Sequence, residues 1–248
     1  MDISQEKANE IIARSHVHIC VPCYGGMVTE AVMSSLLKFQ LMARQVGLNY
    51  TIDTMINESL VTRARNNLAA KFLSNKNATH LFFIDSDIKF EAGEIIKLVL
   101  RDKDIVGGAY PAKKEPPFYV LNKVAEPEIE GDLYEVRHLG TGFLMIKRAV
   151  FDKLIEVMPE TKYKDSLNLG STPDGDPYEN WMYNLFDVVV DDKGHLLSED
   201  WVFCDRAREQ GFKVWCDTTI LLHHVGYHTF NGSIEKLKKT ITEHKKSS

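Results

Sequence analysis

Apolar positions change period along the chain, and each change marks an element. Residues 16–22, HVHICVP, read as a buried first strand. Residues 29–47 follow with helical spacing, and Gly47 suits the C-cap. A strand over 50–56, a helix over 58–75 and a strand over 80–85 come next. A helix over 91–102 and a strand over 104–110, ending on paired glycines, complete the run. This alternation predicts an α/β fold with a mostly parallel central sheet and helices on both faces.

After Pro111 the texture changes. Residues 111–132 are loop-rich with room for a short strand, and 133–154 read as strand, glycine turn, strand, helix. Residues 159–184 show no clear period. A helix capped by Ser198 is expected over 198–210, an extended stretch over 212–224 and a basic closing helix over 233–246. The first residues, MDISQEKANEII, read as an amphipathic helix rather than a signal peptide.

Composition changes this picture little. The 248 residues are 44% hydrophobic and 26% charged, ordinary for a globular protein. A net charge of −5 gives no nucleic-acid footprint. No apolar run reaches the roughly 18–20 residues of a membrane span. Cys20 and Cys23 form a C-x-x-C with Pro22 inside it, and no second such pair exists. With Cys204 and Cys216 they read as apolar packing in a reducing, cytoplasmic setting.

The candidate chemistry begins at HLFFIDSDIKF, 80–90, where a buried strand runs into Asp85 and Asp87. A buried carboxylate is costly unless it is paired or holds a cation. Ligands of open α/β sheets bind beyond the carboxyl ends of strands, where this pair is expected. Hard oxygen ligands suit Mg²⁺ or Mn²⁺. A surface turn explains the pair alone equally well. Glu199 and Asp200 open a helix, where dipole and capping also favour acids. His223, His224 and His228 cluster downstream as ligands or as packing.

Four segments in order resemble a nucleotide-sugar glycosyltransferase of the GT-A fold, close to the family 2 type. They are ICVPCYGG (19–26), the Arg-Asn helix with its D-x-D strand (62–87), LGTGFLMIKRAVFDKL (139–154), and the acidic helix with strand and histidine (197–226). The resemblance implies a single Rossmann-like GT-A domain over 1–248, with a nucleotide-binding half (1–110) and an acceptor and catalytic half (111–248). It implies sugar transfer from a nucleotide-sugar donor, a UDP-sugar first, to a glycan or small hydroxyl acceptor, with inversion by single displacement.

Residue roles follow from the same resemblance. Asp85, Asp87 and His224 would hold Mn²⁺ or Mg²⁺, with His228 as runner-up to His224. Pro22, Cys23, Tyr24, Asp53, Arg65, Asp85, Ser86 and Gly108 would bind the donor. Lys113 or Lys114 would reach the diphosphate, and the 140–142 glycine turn would border donor sugar and acceptor. Asp200 would be the catalytic base, with Glu199 as alternative base or positioning group. The family's turn before the acidic pair is replaced here by a long insert, 171–197. Within it Tyr178 and Trp181, with Tyr183, either stack on a sugar or pack the loop. Rival readings are a sugar-1-phosphate nucleotidyltransferase, an inactive nucleotide-sugar-binding protein and a metallohydrolase.

Overall fold

A computed structural model describes residues 3–114, 118–226 and 230–231. Its first part alternates as the periodicity predicts. The elements are α1 (Gln5–Ala13), β1 (His16–Cys23), α2 (Glu30–Val46), β2 (Asn49–Ile56), α3 (Val61–Ser74) and β3 (His80–Ile84). A two-residue β4 (Ile88–Lys89), α4 (Gly93–Arg101) and β5 (Ile105–Gly107) follow. Thr29 caps α2 through its side chain, and Gly47 ends that helix in the left-handed region at φ 77°.

The second part holds β6 (Leu121–Lys123), β7 (Ile129–Glu130), β8 (Leu133–Leu139), β9 (Phe143–Lys147) and α5 (Arg148–Val157). Then come β10 (Val189–Val190), β11 (Leu196–Leu197), α6 (Glu199–Glu209), β12 (Val214–Asp217), β13 (His223–His224) and β14 (Phe230–Asn231). The expected extended stretch over 212–224 breaks after β12. Asp217, fully buried, accepts from the Thr219 N–H and hydroxyl, and turns the chain while receiving Arg101 Nε at 2.6 Å. The basic closing helix over 233–246 and His228 lie outside the described residues.

The main sheet has the order β2-β1-β3-β9-β5-β12-β8-β6, with β7 beside β8. Strands β2, β1 and β3 run parallel, as do β5 and β12. β9 is inserted antiparallel between β3 and β5, so the strands either side of it share one direction. The reversed strands β8 and β9 both come from the part after Pro111. The class is therefore mixed α/β, with its main strands pointing one way.

Strict alternation on the strands makes two cores, one on each face. Val17, Ile19, Val21, Phe82 and Ile84 join Phe39 of α2 and Ile95 and Val99 of α4. Cys20, Leu81 and Phe83 join Leu68 and Phe72 of α3, Phe151 of α5 and Phe203 of α6. Helices thus cover both faces. The same parity separates the C-x-x-C: Cys20 belongs to one core and Cys23 to the other. All four cysteines are buried and unpaired, and burial raises the thiol pKa values. No described helix is long and apolar enough to cross a membrane.

Candidate functional site

Beyond the C-terminal ends of β1, β2 and β3 lies a cleft of about 270 Å³. Pro22, Cys23 and Tyr24 form one wall, where β1 gives way to a tight turn with Gly25 and Gly26 at φ 74° and 70°. Tyr24 is 72% exposed, so its ring stands on the rim. Asp85, Ser86 and Asp87 form the base, with Arg65 and His224 beside them. The Ser86 carbonyl accepts from the Thr29 N–H and hydroxyl, tying this acidic turn to the start of α2.

Arg65 is the hub. Its side chain is 3% exposed, and it donates from Nη2 to Asp85 Oδ1 at 2.9 Å and from Nε to Glu199 Oε1 at 3.1 Å. Burial would lower its pKa, but the two carboxylates outweigh burial and raise it. One guanidinium therefore joins the D-x-D turn to the start of α6, and its Nη1 has no hydrogen-bond partner among the described residues. The fork geometry suits this double role, which a lysine lacks.

His224 reaches Asp87 through backbone pairing. β13 pairs antiparallel with β4, placing His224 opposite Ile88, and the Val225 N–H donates to the Asp87 carbonyl at 2.8 Å. His224 Nε2 stands 3.4 Å from Asp87 Oδ2, while Nδ1 lies 2.9 Å from the Pro111 carbonyl. A carbonyl only accepts, so Nδ1 carries the hydrogen and Nε2 faces the carboxylate. Lys113 Nζ donates to the same Asp87 oxygen at 2.6 Å. Burial would raise the Asp87 pKa, yet His224 and Lys113 together hold it below its ordinary value. His223 is the next residue along β13, and the pleat turns it to the opposite side.

The expected metal trio is only partly assembled. Among the described residues no three His, Cys, Asp or Glu side chains stand together as a metal site. Asp85 is turned to Arg65 instead. The Asp87–His224 pair does fit a cation that completes its shell with phosphates and water, as Mg²⁺ commonly does. The imidazole oriented by a carbonyl on its far nitrogen is also the usual arrangement of a ligating histidine.

Glu199 and Asp200 are absent from the cleft lining, and Glu199 is tied to it through Arg65. Asp200 is 9% exposed, and burial raises its pKa. Its Oδ1 accepts from the Ser198 hydroxyl and the Trp201 N–H. Ser198 therefore holds Asp200 instead of capping α6 through its side chain.

Two donor residues expected from sequence lie elsewhere. Asp53 is not at a strand end: β2 continues to Ile56, and Asp53 faces His18 and Lys71 in a separate cavity. Gly108 is small for packing, not for donor approach. A Cβ there would lie 2.7 Å from Ile220 and 2.9 Å from Leu222. Conversely, the 140–142 turn does border the site, since a Cβ on Gly142 would lie 2.8 Å from Asp85 Oδ2 and as close to the Tyr110 ring. Trp181 and Tyr183 pack against the core, which accounts for both as loop anchors.

Tyr110 and Glu58 were missed. Tyr110 is buried, its hydroxyl accepts from the Gly142 N–H at 3.2 Å, and it feels the charges of both Asp85 and Asp200. An aromatic just past a strand that ends on two glycines was the available signal. Glu58 lines the cleft just past β2 and is held by Arg63 Nε at 2.6 Å.

No protein-family model matches the chain, and no curated protein matches it. Among solved structures, A197 from STIV is similar at 18% identity over 85% of this chain and 86% of that chain, with a TM-score of 0.47. A UDP-glucose pyrophosphorylase complexed with UDP-glucose is similar at 8% identity over 94% and 99%, with a TM-score of 0.42. The 4-diphosphocytidyl-2C-methyl-D-erythritol synthase from Anaerococcus prevotii follows at 10% identity over 64% and 83%, with a TM-score of 0.36. Likenesses this low decide nothing about activity.

Proposed function

We propose that the protein is a cation-dependent glycosyltransferase using a nucleotide-sugar donor, a UDP-sugar first, and a hydroxyl of a glycan or small molecule as acceptor. What supports this is the convergence on one cleft of segments far apart in sequence: Asp87 against His224, and Arg65 spanning Asp85 and Glu199. The cleft lies where α/β sheets bind ligands.

In this reading Pro22, Cys23 and Tyr24 receive the base, and Ser86 lies near the ribose. Mg²⁺ or Mn²⁺, held by Asp87 and His224, would neutralise the leaving diphosphate as a Lewis acid. Lys113, already on Asp87, turns to the phosphates when they arrive. Arg65 keeps Asp85 and Glu199 in fixed positions. Asp200, outside the cleft lining and 9% exposed, would take the proton of an acceptor hydroxyl brought against it. With Oδ1 held by Ser198 and Trp201, Oδ2 is the oxygen that receives it. The oxygen so freed attacks the anomeric carbon opposite the diphosphate, and the configuration inverts.

Nucleotidyl transfer on a sugar 1-phosphate is the second reading, and the glycine turn after β1 favours it. The same turn, VPCYGGMVTE, lacks the basic residue that such a loop would use on phosphates. Phosphorus NMR separates the two. The protein is incubated with a nucleotide-sugar panel, Mn²⁺ and sugar acceptors, with and without pyrophosphate. Nucleoside diphosphate released without pyrophosphate is the expected result. Nucleoside triphosphate formed only with pyrophosphate would replace the first reading by the second.

A further inference from the structure

A second cavity, of about 730 Å³, opens at the outer edge of the sheet. It is bounded by edge strand β2, the last turns of α3 and the loop over 172–181. It shares no lining residue with the cleft.

Its inner wall holds His18, Asp53 and Lys71. The His18 side chain is 2% exposed. Its Nε2 stands 2.9 Å from Asp53 Oδ2, and both ring nitrogens are shut off from solvent. The imidazole therefore stands behind Asp53 and fixes its carboxylate at the cavity wall. Lys71 Nζ holds Asp53 from the other side at 3.1 Å. His18 and then Lys71 outweigh burial and hold the Asp53 carboxyl down at about 2.

The outer wall is the loop. Thr172 and Asp176 close it through paired backbone and side-chain bonds, and the Tyr178 N–H donates to the Gly170 carbonyl. This presents the half-buried Tyr178 ring, with Lys71 Nζ over one face at 6.0 Å from its centroid, and Trp181 packs on the core. The fixed charges decide the ligand class. Asp53, Asp174 and Asp176 outnumber Lys71 and Lys76, which disfavours phosphate and other anions. Carboxylates and an aromatic face around one hollow suit a neutral, hydroxyl-rich molecule.

We propose that this cavity is a carbohydrate subsite, taking a neutral glycan through hydroxyl bonds to Asp53, which His18 and Lys71 hold in place, and to the 172–176 loop, with the Tyr178 ring against a sugar face. The inference does not depend on the reaction proposed for the cleft. Calorimetric titration of the full chain with cellohexaose, maltohexaose, mannohexaose and chitohexaose tests it. At least one is expected to bind at millimolar concentration or better. Tyr178→Ala, on an external loop, is expected to weaken that binding by about tenfold, equivalent to ~1.4 kcal/mol, with the melting curve confirming a folded chain. Asp87→Ala, which disables the cleft, is expected to leave it unchanged. No binding of any glycan overturns the proposal. So does binding lost in Asp87→Ala but kept in Tyr178→Ala, or uptake of inorganic phosphate in place of sugar.

Discussion

Asp200 and Arg65 show how burial sets the working state of single residues. Arg65 is charged because two carboxylates compensate its desolvation, and truncating a buried partner of this kind typically costs ~3–5 kcal/mol. Asp200 has the opposite balance, and burial moves its pKa above 3.8. In its proposed role of general base it acts when ionised, so transfer is expected to fall as pH drops through that raised value. The acid limb of the rate profile is therefore expected above the ordinary Asp range. Asp200→Asn is expected to keep donor affinity, lose transfer by about 10²–10⁴-fold and abolish that limb. An unchanged profile in the variant would assign the base elsewhere. Sequence made these two residues visible through motif spacing. It hid the location of Asp53, because a strand's end is set by its neighbours in the sheet and not by the residue itself.

At the level of elements, long periodic segments were legible and short ones were not. α2 and β1 carry enough repeats to show their period, whereas β4 and β13 are two residues each and carry none. Yet that small pairing is what carries His224 to Asp87. The aperiodic stretch before α6 is organised by side-chain to backbone bonds. Asn66 of α3 accepts from the Leu185 and Phe186 N–H groups at 3.0 Å each and donates to the Phe186 carbonyl at 2.8 Å. Arg206 of α6 donates to the Asn184 and Leu185 carbonyls. Asn66→Ala would strand buried backbone groups, so a loss of at least ~2 kcal/mol is expected in urea unfolding. A change within experimental error would show that packing of Phe186 on Phe203, at 4.4 Å between ring centroids, suffices alone.

For the whole molecule, strand order is what makes a site from scattered residues. β1 beside β3 puts the Pro22 turn next to the D-x-D turn, and the reversed β9 seats the 140–142 turn against Asp85. The α/β class followed from alternation alone. The insertion of β9 did not, because antiparallel and parallel buried strands share the same apolar texture. Calorimetric titration of UDP with and without Mn²⁺, in wild type and Asp87→Ala, tests whether the assembled cleft is a donor site. The expected result is binding that Mn²⁺ tightens by about tenfold or more in the wild type and not in the variant. UDP affinity that ignores Mn²⁺ in the wild type, or survives undiminished in Asp87→Ala, would contradict it.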